Sequence, residues 1–257
     1  MRAAELFDLT GEVALVTGAS SGLGARFAQV LAANGARVVL VARRMQRLEA
    51  LAARIAKAGG QAIAVEADVT DPDAMRAAFD RAEAAFDPVT ILVNNAGVAQ
   101  TARAIDMSEA EWRRVLSVDL DAVFAWSQEG ARRMIAAEKP GAIVNLASVL
   151  GFGVSRGVAA YAVAKAGVVQ LTRAMGLEFA SKGVRVNAIA PGWFVTEINH
   201  SFLQSSKGED IRKSIPLARF GQDGDLDGVL LLLASRAGGY MTGTTVVVDG
   251  GQVIALG

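Results

Sequence analysis

Tyr161 and Lys165 are four residues apart in an apolar, alanine-rich stretch of the sequence. In a helix, this spacing places both side chains on one face, about one turn apart. An ammonium group stabilises a neighbouring phenolate, so the pair suits proton transfer to or from a bound molecule. An isolated Tyr-x-x-x-Lys sequence, however, is more often a helix surface with a buried ring. Other residues must decide between the two interpretations.

A glycine-rich segment lies early in the chain, directly after an apolar run and directly before a helical pattern. It reads Thr17-Gly18-Ala19-Ser20-Ser21-Gly22-Leu23-Gly24. Glycines let the backbone turn sharply and approach a pyrophosphate, whose charge the free N–H groups and the helix dipole would hold. The spacing differs from the three-glycine dinucleotide fingerprint, so a purely structural turn stays open. The segment predicts a nucleotide phosphate site.

The elements that must position these residues can be read from hydrophobic periodicity. Short runs rich in valine, isoleucine and leucine recur along the chain and predict buried strands, with helical spacing between them. The predicted strands are 12–17, 37–41, 62–65, 90–93, 142–146, 185–190 and 245–248. This alternation predicts the α/β class: a Rossmann-type doubly wound parallel sheet of about seven strands with helices on both faces. No linker divides residues 1–257, so we expect a single domain.

The composition excludes several kinds of partner. The 26 basic and 26 acidic residues balance, so no global field attracts nucleic acid or an anionic membrane. The chain has no cysteine and one histidine, which excludes disulfides and a histidine-built metal site. Neither a signal-peptide core nor an apolar stretch of about 20 residues is present. We expect a cytoplasmic protein that binds a small molecule and no metal.

Five motifs follow one another along the chain. They are TGxxxGxG from Thr17, Asn94-Asn95-Ala96-Gly97, Ser148, Tyr161-x-x-x-Lys165, and Pro191-Gly192-x-x-x-Thr196. Together they resemble the short-chain dehydrogenase/reductase family over essentially the whole chain. The resemblance implies hydride transfer between a nicotinamide cofactor and a carbonyl or secondary alcohol. In reduction, Tyr161 would be the general acid, Lys165 its electrostatic partner and ribose anchor, and Ser148 the donor that orients the substrate oxygen.

The residues that end the second predicted strand favour NADP over NAD. A carboxylate at this point would accept from the ribose 2′-hydroxyl and repel a 2′-phosphate. By resemblance, Ala42 stands where NAD-preferring members carry aspartate, and Arg43 stands where NADP-preferring members often carry a basic residue. A guanidinium can bind a phosphate through paired hydrogen bonds, and Arg44 is counted with Arg43 as a cofactor-binding residue. Alternatively, both arginines are only the solvated start of a helix. The resemblance adds further cofactor-binding residues: Gly18, Ser20, Ser21, Gly22, Leu23, Gly24, Asp68, Val69, Asn95, Ala96, Gly97, Pro191, Gly192, Phe194 and Thr196, besides Tyr161 and Lys165.

Asp119 departs from the family pattern. It stands where the family usually has the asparagine of its catalytic tetrad, which is thought to support a water chain from the lysine toward solvent. Aspartate keeps an acceptor but loses the amide donor, and its charge could pair with Lys165 or strain the helix. Equally, Asp119 could only cap or bend this helix. We count Asp119 as a fourth candidate catalytic residue.

The expected substrate pocket is mostly apolar, which favours a bulky hydrophobic or aromatic ketone or alcohol. By resemblance, its wall consists of Val98, Leu150, Phe152, Val154, Trp193, Phe194, Phe202 and Leu203. The polar stretch 200–214 predicts a mobile loop inside a substrate lid at 193–216. Arg156 and His200 are expected at the surface rather than in a catalytic role.

Two other functions stay open for this sequence. One is a nucleotide-binding regulatory protein that uses the same scaffold without turnover, for which Asp119 is the only support. The other is an epimerase or dehydratase of the extended relatives, which usually carry an additional C-terminal substrate domain.

The resemblance also implies an oligomer. Family members generally bury their fourth and fifth helices and their final strand between copies, so we expect a homo-oligomer, specifically a tetramer.

Overall fold

The computed structural model describes residues 2–195 and 199–255. Its strands are β1 (Val13–Thr17), β2 (Arg37–Ala42), β3 (Gln61–Glu66), β4 (Ile91–Asn94), β5 (Gly141–Leu146), β6 (Val184–Pro191) and β7 (Thr245–Val248). Its helices are α1 (Ala3–Leu6), α2 (Gly22–Ala33), α3 (Met45–Lys57), α4 (Pro72–Ala85), α5 (Glu109–Leu116), α6 (Ala122–Ala136), α7 (Ala159–Phe179), α8 (His200–Leu203), α9 (Ser206–Ser214) and α10 (Asp227–Ala234). No helix within these ranges combines the length and apolar character that spanning a membrane requires.

The seven strands form one sheet in the order β3-β2-β1-β4-β5-β6-β7, and every neighbouring pair is parallel. Each strand begins and ends within one residue of its predicted limits. The predicted single-domain α/β fold with a doubly wound parallel sheet is therefore confirmed.

The prediction of an irregular loop at 200–214 was wrong, because this stretch forms the short helices α8 and α9. The Ser205 hydroxyl accepts a hydrogen bond from the Gly208 backbone N–H at 3.3 Å and so caps α9. Glu209 and Arg212 form an ion pair of 2.7 Å one turn apart. Polar residues at helical spacing stabilise this segment without an apolar stripe, and hydrophobic periodicity therefore missed it.

Helices cover both faces of the sheet, and each face has its own hydrophobic core. Leu31 of α2 and Leu230 of α10 pack on one face. Phe79 of α4 and Trp126 of α6 pack on the other. Successive residues of a strand point to opposite faces, so β1, β4 and β5 are buried at every position and read as continuous apolar runs.

A chain of buried polar side chains crosses the centre of the sheet. The Asn94 amide donates to the Ser127 hydroxyl at 2.8 Å and to the Asn145 side-chain oxygen at 2.9 Å. The Asn145 amide donates in turn to the Thr172 hydroxyl at 3.0 Å. All four residues are buried. These bonds join β4 and β5 to α6 and α7, which carry residues of the candidate site.

The strand order reverses between β1 and β4. The chain runs outward from β1 to β3 and then crosses back to β4 on the other side of β1. In sheets of this kind, ligands bind beyond the carboxyl ends of the strands at such a reversal. The glycine-rich segment follows β1, residues 95–97 follow β4, and Ser148 lies just beyond β5. The fold thus collects the predicted site residues along one edge.

Candidate active site

The glycine-rich turn is tied to the segment that follows β4. The Thr17 hydroxyl accepts hydrogen bonds from the backbone N–H groups of Asn95 at 3.0 Å and Ala96 at 3.1 Å. The Asn95 amide donates to the Thr17 carbonyl at 2.9 Å. Thr17 was the first residue of the recognised motif, but its role as the acceptor for both N–H groups was not predicted.

Two glycines of the turn have a backbone geometry that favours glycine. Gly18 and Gly22 have φ values of +66° and +55°. A Cβ at Gly18 would lie only 2.8 Å from the Ala96 Cα, so the two segments touch through their backbones. Ser21 precedes α2 without capping it through its side chain. Since the first N–H groups of a helix have no partner within it, the start of α2 can receive an anion.

Arg44 lies beside this turn and is more than a solvated helix residue. Its guanidinium donates to the Ser20 hydroxyl at 2.7 and 3.1 Å and to the Ser21 hydroxyl at 2.7 Å. Arg43 is exposed, with a guanidinium nitrogen 3.7 Å from an Asp68 carboxylate oxygen. Ala42 is the last residue of β2. Arg44 and the two hydroxyls thus form a cluster where a phosphate could accept hydrogen bonds, and Arg43 is the adjacent residue of the chain.

Asp68 and Val69 follow β3 and are fixed by local contacts. The Asp68 carboxylate accepts from the Thr70 backbone N–H at 3.0 Å and from its hydroxyl at 2.7 Å. These two bonds, together with the nearby charge of Arg43, hold the pKa of the Asp68 carboxyl below its usual value. The Val69 carbonyl accepts from the Trp126 indole at 3.0 Å. Trp126 was not singled out from the sequence.

Lys165 is buried in α7, one turn after Tyr161. Its ammonium donates to the Leu146 carbonyl at 2.8 Å and lies 5.4 Å from the centre of the Tyr161 ring. Burial lowers the pKa of the Lys165 ammonium, but the charge of Asp119 and the interaction with Tyr161 more than offset this, and the net pKa is raised. Lys165 therefore carries a positive charge close to the phenol. The Leu146 carbonyl was not predicted as its partner.

Asp119 lies in a π-helical turn, Ser117–Asp121, between α5 and α6. Such turns often occur at functional sites because they redirect a side chain. One carboxylate oxygen accepts from the Val98 backbone N–H at 2.7 Å, and the other lies 3.3 Å from the Lys165 ammonium. Burial raises the pKa of the Asp119 carboxyl, and Lys165 offsets part of that effect. Of the predicted roles, the ion pair with Lys165 is present, and the π-helical turn shows that the helix is also distorted at this position.

Ser148 follows β5 and is held against α7. Its hydroxyl accepts from the Leu150 backbone N–H at 3.1 Å. A Cβ at Gly151 would lie 2.9 Å from the Lys165 carbonyl oxygen, so the turn after Ser148 contacts α7 through its backbone. The sheet edge therefore brings Ser148 to the same helix that carries Tyr161 and Lys165.

The segment after β6 differs in part from the prediction. The Gly192 N–H donates to the Val248 carbonyl at 3.0 Å, which joins this segment to β7. The Phe194 ring is not free to line a pocket, because it is buried in the core and fills the space left by Gly221. Only the backbone of Phe194 could therefore contact a cofactor. Thr196 lies outside the described residues.

Several apolar residues of the expected pocket wall are exposed. Phe152, Val154 and Phe202 have 44%, 84% and 43% of their surface accessible. The Trp193 and Phe202 rings contact each other with their centres 6.0 Å apart, which joins the segment after β6 to α8. Leu203, in contrast, is buried. An apolar ligand would cover the exposed members of this set.

Comparison with known proteins gives matches along nearly the full length. A family model described as enoyl-(acyl carrier protein) reductase matches residues 18–252. Galactitol 2-dehydrogenase (L-tagatose-forming) of Cereibacter sphaeroides is 41% identical over 254 residues, covering 97% of this chain and 98% of that protein. The 3-oxoacyl-(acyl-carrier-protein) reductase of Synechocystis is 39% identical over 248 residues, covering 96% and 98%.

A solved structure agrees with these matches. Gluconate 5-dehydrogenase of Burkholderia cenocepacia, in complex with NADP and tartrate, superposes with a TM-score of 0.94 at 36% identity, covering 99% of this chain and 100% of that one. The matched region includes the turn from Gly18, the segment after β4 and the Tyr161–Lys165 pair. The chain therefore belongs to the short-chain dehydrogenase/reductase family and is an oxidoreductase of alcohol and carbonyl groups.

Proposed function

We propose that the chain interconverts a ketone and a secondary alcohol with NADP(H), through Ser148, Tyr161 and Lys165. One observation carries the proposal: the buried Lys165 ammonium lies 5.4 Å from the centre of the Tyr161 ring. A regulatory protein without turnover would not need a desolvated ammonium held beside a phenol. That alternative is therefore not favoured.

The cofactor of the proposal is NADP rather than NAD. Arg44, Ser20 and Ser21 form a donor cluster beside Ala42, and the bound NADP of the gluconate 5-dehydrogenase structure supports the same choice. When bound, NADP supplies or receives the hydride. The residues proposed to contact it are Gly18, Ser20, Ser21, Gly22, Leu23, Gly24, Arg43, Arg44, Asp68, Val69, Asn95, Ala96, Gly97, Tyr161, Lys165, Pro191, Gly192, Phe194 and Thr196.

The chain's own residues handle the substrate oxygen and its proton. The Ser148 hydroxyl donates a hydrogen bond to this oxygen and orients it. During reduction Tyr161 donates its phenolic proton to the oxygen, and during oxidation it takes the proton back. Lys165 stabilises the negative charge that develops on the phenol oxygen when the proton leaves. Lys165 is also proposed to hold the cofactor ribose.

The proposed substrate is hydrophobic or aromatic. The exposed side chains of Phe152, Val154 and Phe202 support this choice, because a polyol would leave them without an apolar partner. Residues 193–216 are proposed to form a lid, with the Trp193–Phe202 contact as its inner face. The names of the relatives include sugar alcohol and acyl carrier protein enzymes, so the substrate test must compare these classes directly.

A carbonyl panel tests the proposed reaction. The purified protein would be given NADPH with aryl ketones, a 3-oxoacyl thioester and L-tagatose, and the alcohol formed would be compared with the NADPH consumed. We expect equal amounts of both, with the highest kcat/KM for the aryl ketones. Turnover of L-tagatose alone would contradict the hydrophobic substrate, and no turnover of any carbonyl would contradict the reaction.

A homo-oligomer, specifically a tetramer, is part of the proposal. A groove of about 330 Å³ lies between α6 and α7, and Phe124, Ile135 and Leu177 are exposed on these helices. Exposed apolar surface of this kind is typical of an interface. Light scattering should give about four chain masses, and Phe124→Glu should reduce that mass whereas Ile105→Glu, at another exposed site, should not. A wild-type mass of one chain would contradict the assembly.

The cytoplasmic location stays a prediction from composition. Fractionation of cells that express the chain would test it.

A further inference from the structure

Asp119 places a negative charge inside the candidate active site. Its side chain has no accessible surface, and one of its carboxylate oxygens has no hydrogen-bond partner. That same oxygen lies 3.3 Å from the Lys165 ammonium and faces the Gly97 backbone. The carboxylate is therefore oriented toward Lys165 and the segment that follows β4, and not toward solvent.

This charge changes what Lys165 presents to a ligand. Lys165 is 3% exposed, so water screens its positive charge only weakly. With a neutral residue at position 119, a protonated Lys165 would act on a ligand as an uncompensated cation. With Asp119, the ammonium and carboxylate together carry no net charge, although Lys165 keeps its bond to the Leu146 carbonyl.

The two redox states of a nicotinamide cofactor differ in the charge of the ring. The oxidised ring is positive and the reduced ring is neutral, so a nearby cation disfavours the oxidised form and a nearby anion favours it. We infer that Asp119 makes the site favour the oxidised cofactor, and thereby alcohol oxidation, more than a neutral residue at this position would. This inference rests on the proposed function, because it requires NADP to bind beside Lys165.

The size of the effect follows from Coulomb's law. At an effective dielectric constant of about 20, a unit charge within about 10 Å of another changes an equilibrium on the order of tenfold. Relaxation of the surroundings reduces this, and we expect roughly a fivefold effect. Differential affinity for two ligand states is sufficient to shift the balance between them.

The test measures the dissociation constants of NADP⁺ and NADPH for the wild type and for Asp119→Asn. Asparagine removes the charge and keeps the shape of the side chain. The ratio Kd(NADP⁺)/Kd(NADPH) should rise roughly fivefold in the variant. Asp121→Asn is the matched control, since Asp121 lies in the same π-helical turn but is exposed, and its ratio should equal that of the wild type.

The outcomes separate the inference from the proposed function. A wild type that binds neither cofactor would contradict the proposed function. A wild type that binds both, with an unchanged or lower ratio in Asp119→Asn, would overturn the role of Asp119 alone. If the asparagine variant does not fold, Asp119→Ser removes the same charge with a smaller side chain.

Discussion

The Asn95 side-chain amide donates to the Thr17 carbonyl at 2.9 Å and so ties the end of β4 to the end of β1. It also lies 3.3 Å from the Gly18 carbonyl, within the first residues of the glycine-rich turn. The side chain therefore holds the two segments between which a pyrophosphate would lie.

Replacement of this amide should weaken both the fold and the cofactor site. Asn95→Ala leaves the Thr17 carbonyl without its donor, and we expect the free energy of unfolding to fall by about 1–2 kcal/mol. NADPH affinity should fall as well, because the turn loses its support. Urea titration and fluorescence titration measure the two effects. Asn34→Ala, which removes a side-chain hydrogen bond at the end of α2, should leave NADPH affinity unchanged.

The Arg44 cluster should determine the preference for NADPH. Arg44→Ala removes the donor that contacts Ser20 and Ser21, and NADPH affinity should fall about 10- to 100-fold while NADH affinity changes little. Arg54→Ala, on an exposed position of α3, is the control and should have no effect. Equal losses for both cofactors would show that Arg44 supports the turn instead of reading the phosphate.

A double substitution tests the same preference in the opposite direction. Ala42→Asp with Arg43→Ile introduces a ribose acceptor and removes a phosphate partner, and preference should move toward NADH. Wild-type titrations should show tighter binding of NADPH than of NADH. Equal affinities in the wild type would contradict the assignment.

Tyr161→Phe should reduce kcat/KM by about 10²- to 10⁴-fold and leave NADPH affinity near that of the wild type. The change removes only the oxygen that transfers the proton. Tyr240→Phe is a matched control, because Tyr240 is fully exposed and should be silent. Lys165→Ala should reduce both turnover and NADPH affinity, since the ammonium is proposed to hold the ribose as well. Near wild-type turnover in Tyr161→Phe would overturn the mechanism.

The stability of the wild type relative to Asp119→Asn should depend on pH. Burial raises the pKa of the Asp119 carboxyl, with Lys165 offsetting part of the effect, so the folded protein holds this proton more tightly than the unfolded chain does. The stability that this carboxyl contributes is therefore present below its pKa in the unfolded chain. It is lost as the pH rises through the pKa of the same carboxyl in the folded protein. Asparagine does not titrate. As the pH rises above about 4, the usual pKa of an aspartate, the wild type should lose stability relative to the variant.

Urea titrations at several pH values would measure this difference. Asp121→Asn should show no comparable trend relative to the wild type, because Asp121 is exposed. A wild type that gains stability relative to Asp119→Asn over the same interval would contradict the raised pKa.

The strands were predictable because a parallel sheet covered on both faces leaves continuous apolar runs separated by turns. The contact of Arg44 with Ser20 and the bond from Lys165 to Leu146 were not, because each joins residues about 20 positions apart through the fold. Resemblance and hydrophobicity predicted that the Phe194 ring lines the substrate pocket, whereas the ring is buried in the core. An apolar residue suits either environment equally well. The deciding neighbour, Gly221, comes much later in the chain.

The Asn94–Asn145 bond has a further consequence for how β4 and β5 find their alignment. Strands that are buried at every position carry no alternation of apolar and polar residues to distinguish one register from the next. If β5 slipped by one residue, the Asn145 side chain would turn to the opposite face. The Asn145 amide and the Thr172 hydroxyl would then be buried without each other, and the Asn94 amide would keep only its bond to Ser127. Each such group costs about 1–3 kcal/mol. Between two strands made mostly of apolar residues, Asn94 and Asn145 therefore distinguish the native alignment from its neighbours.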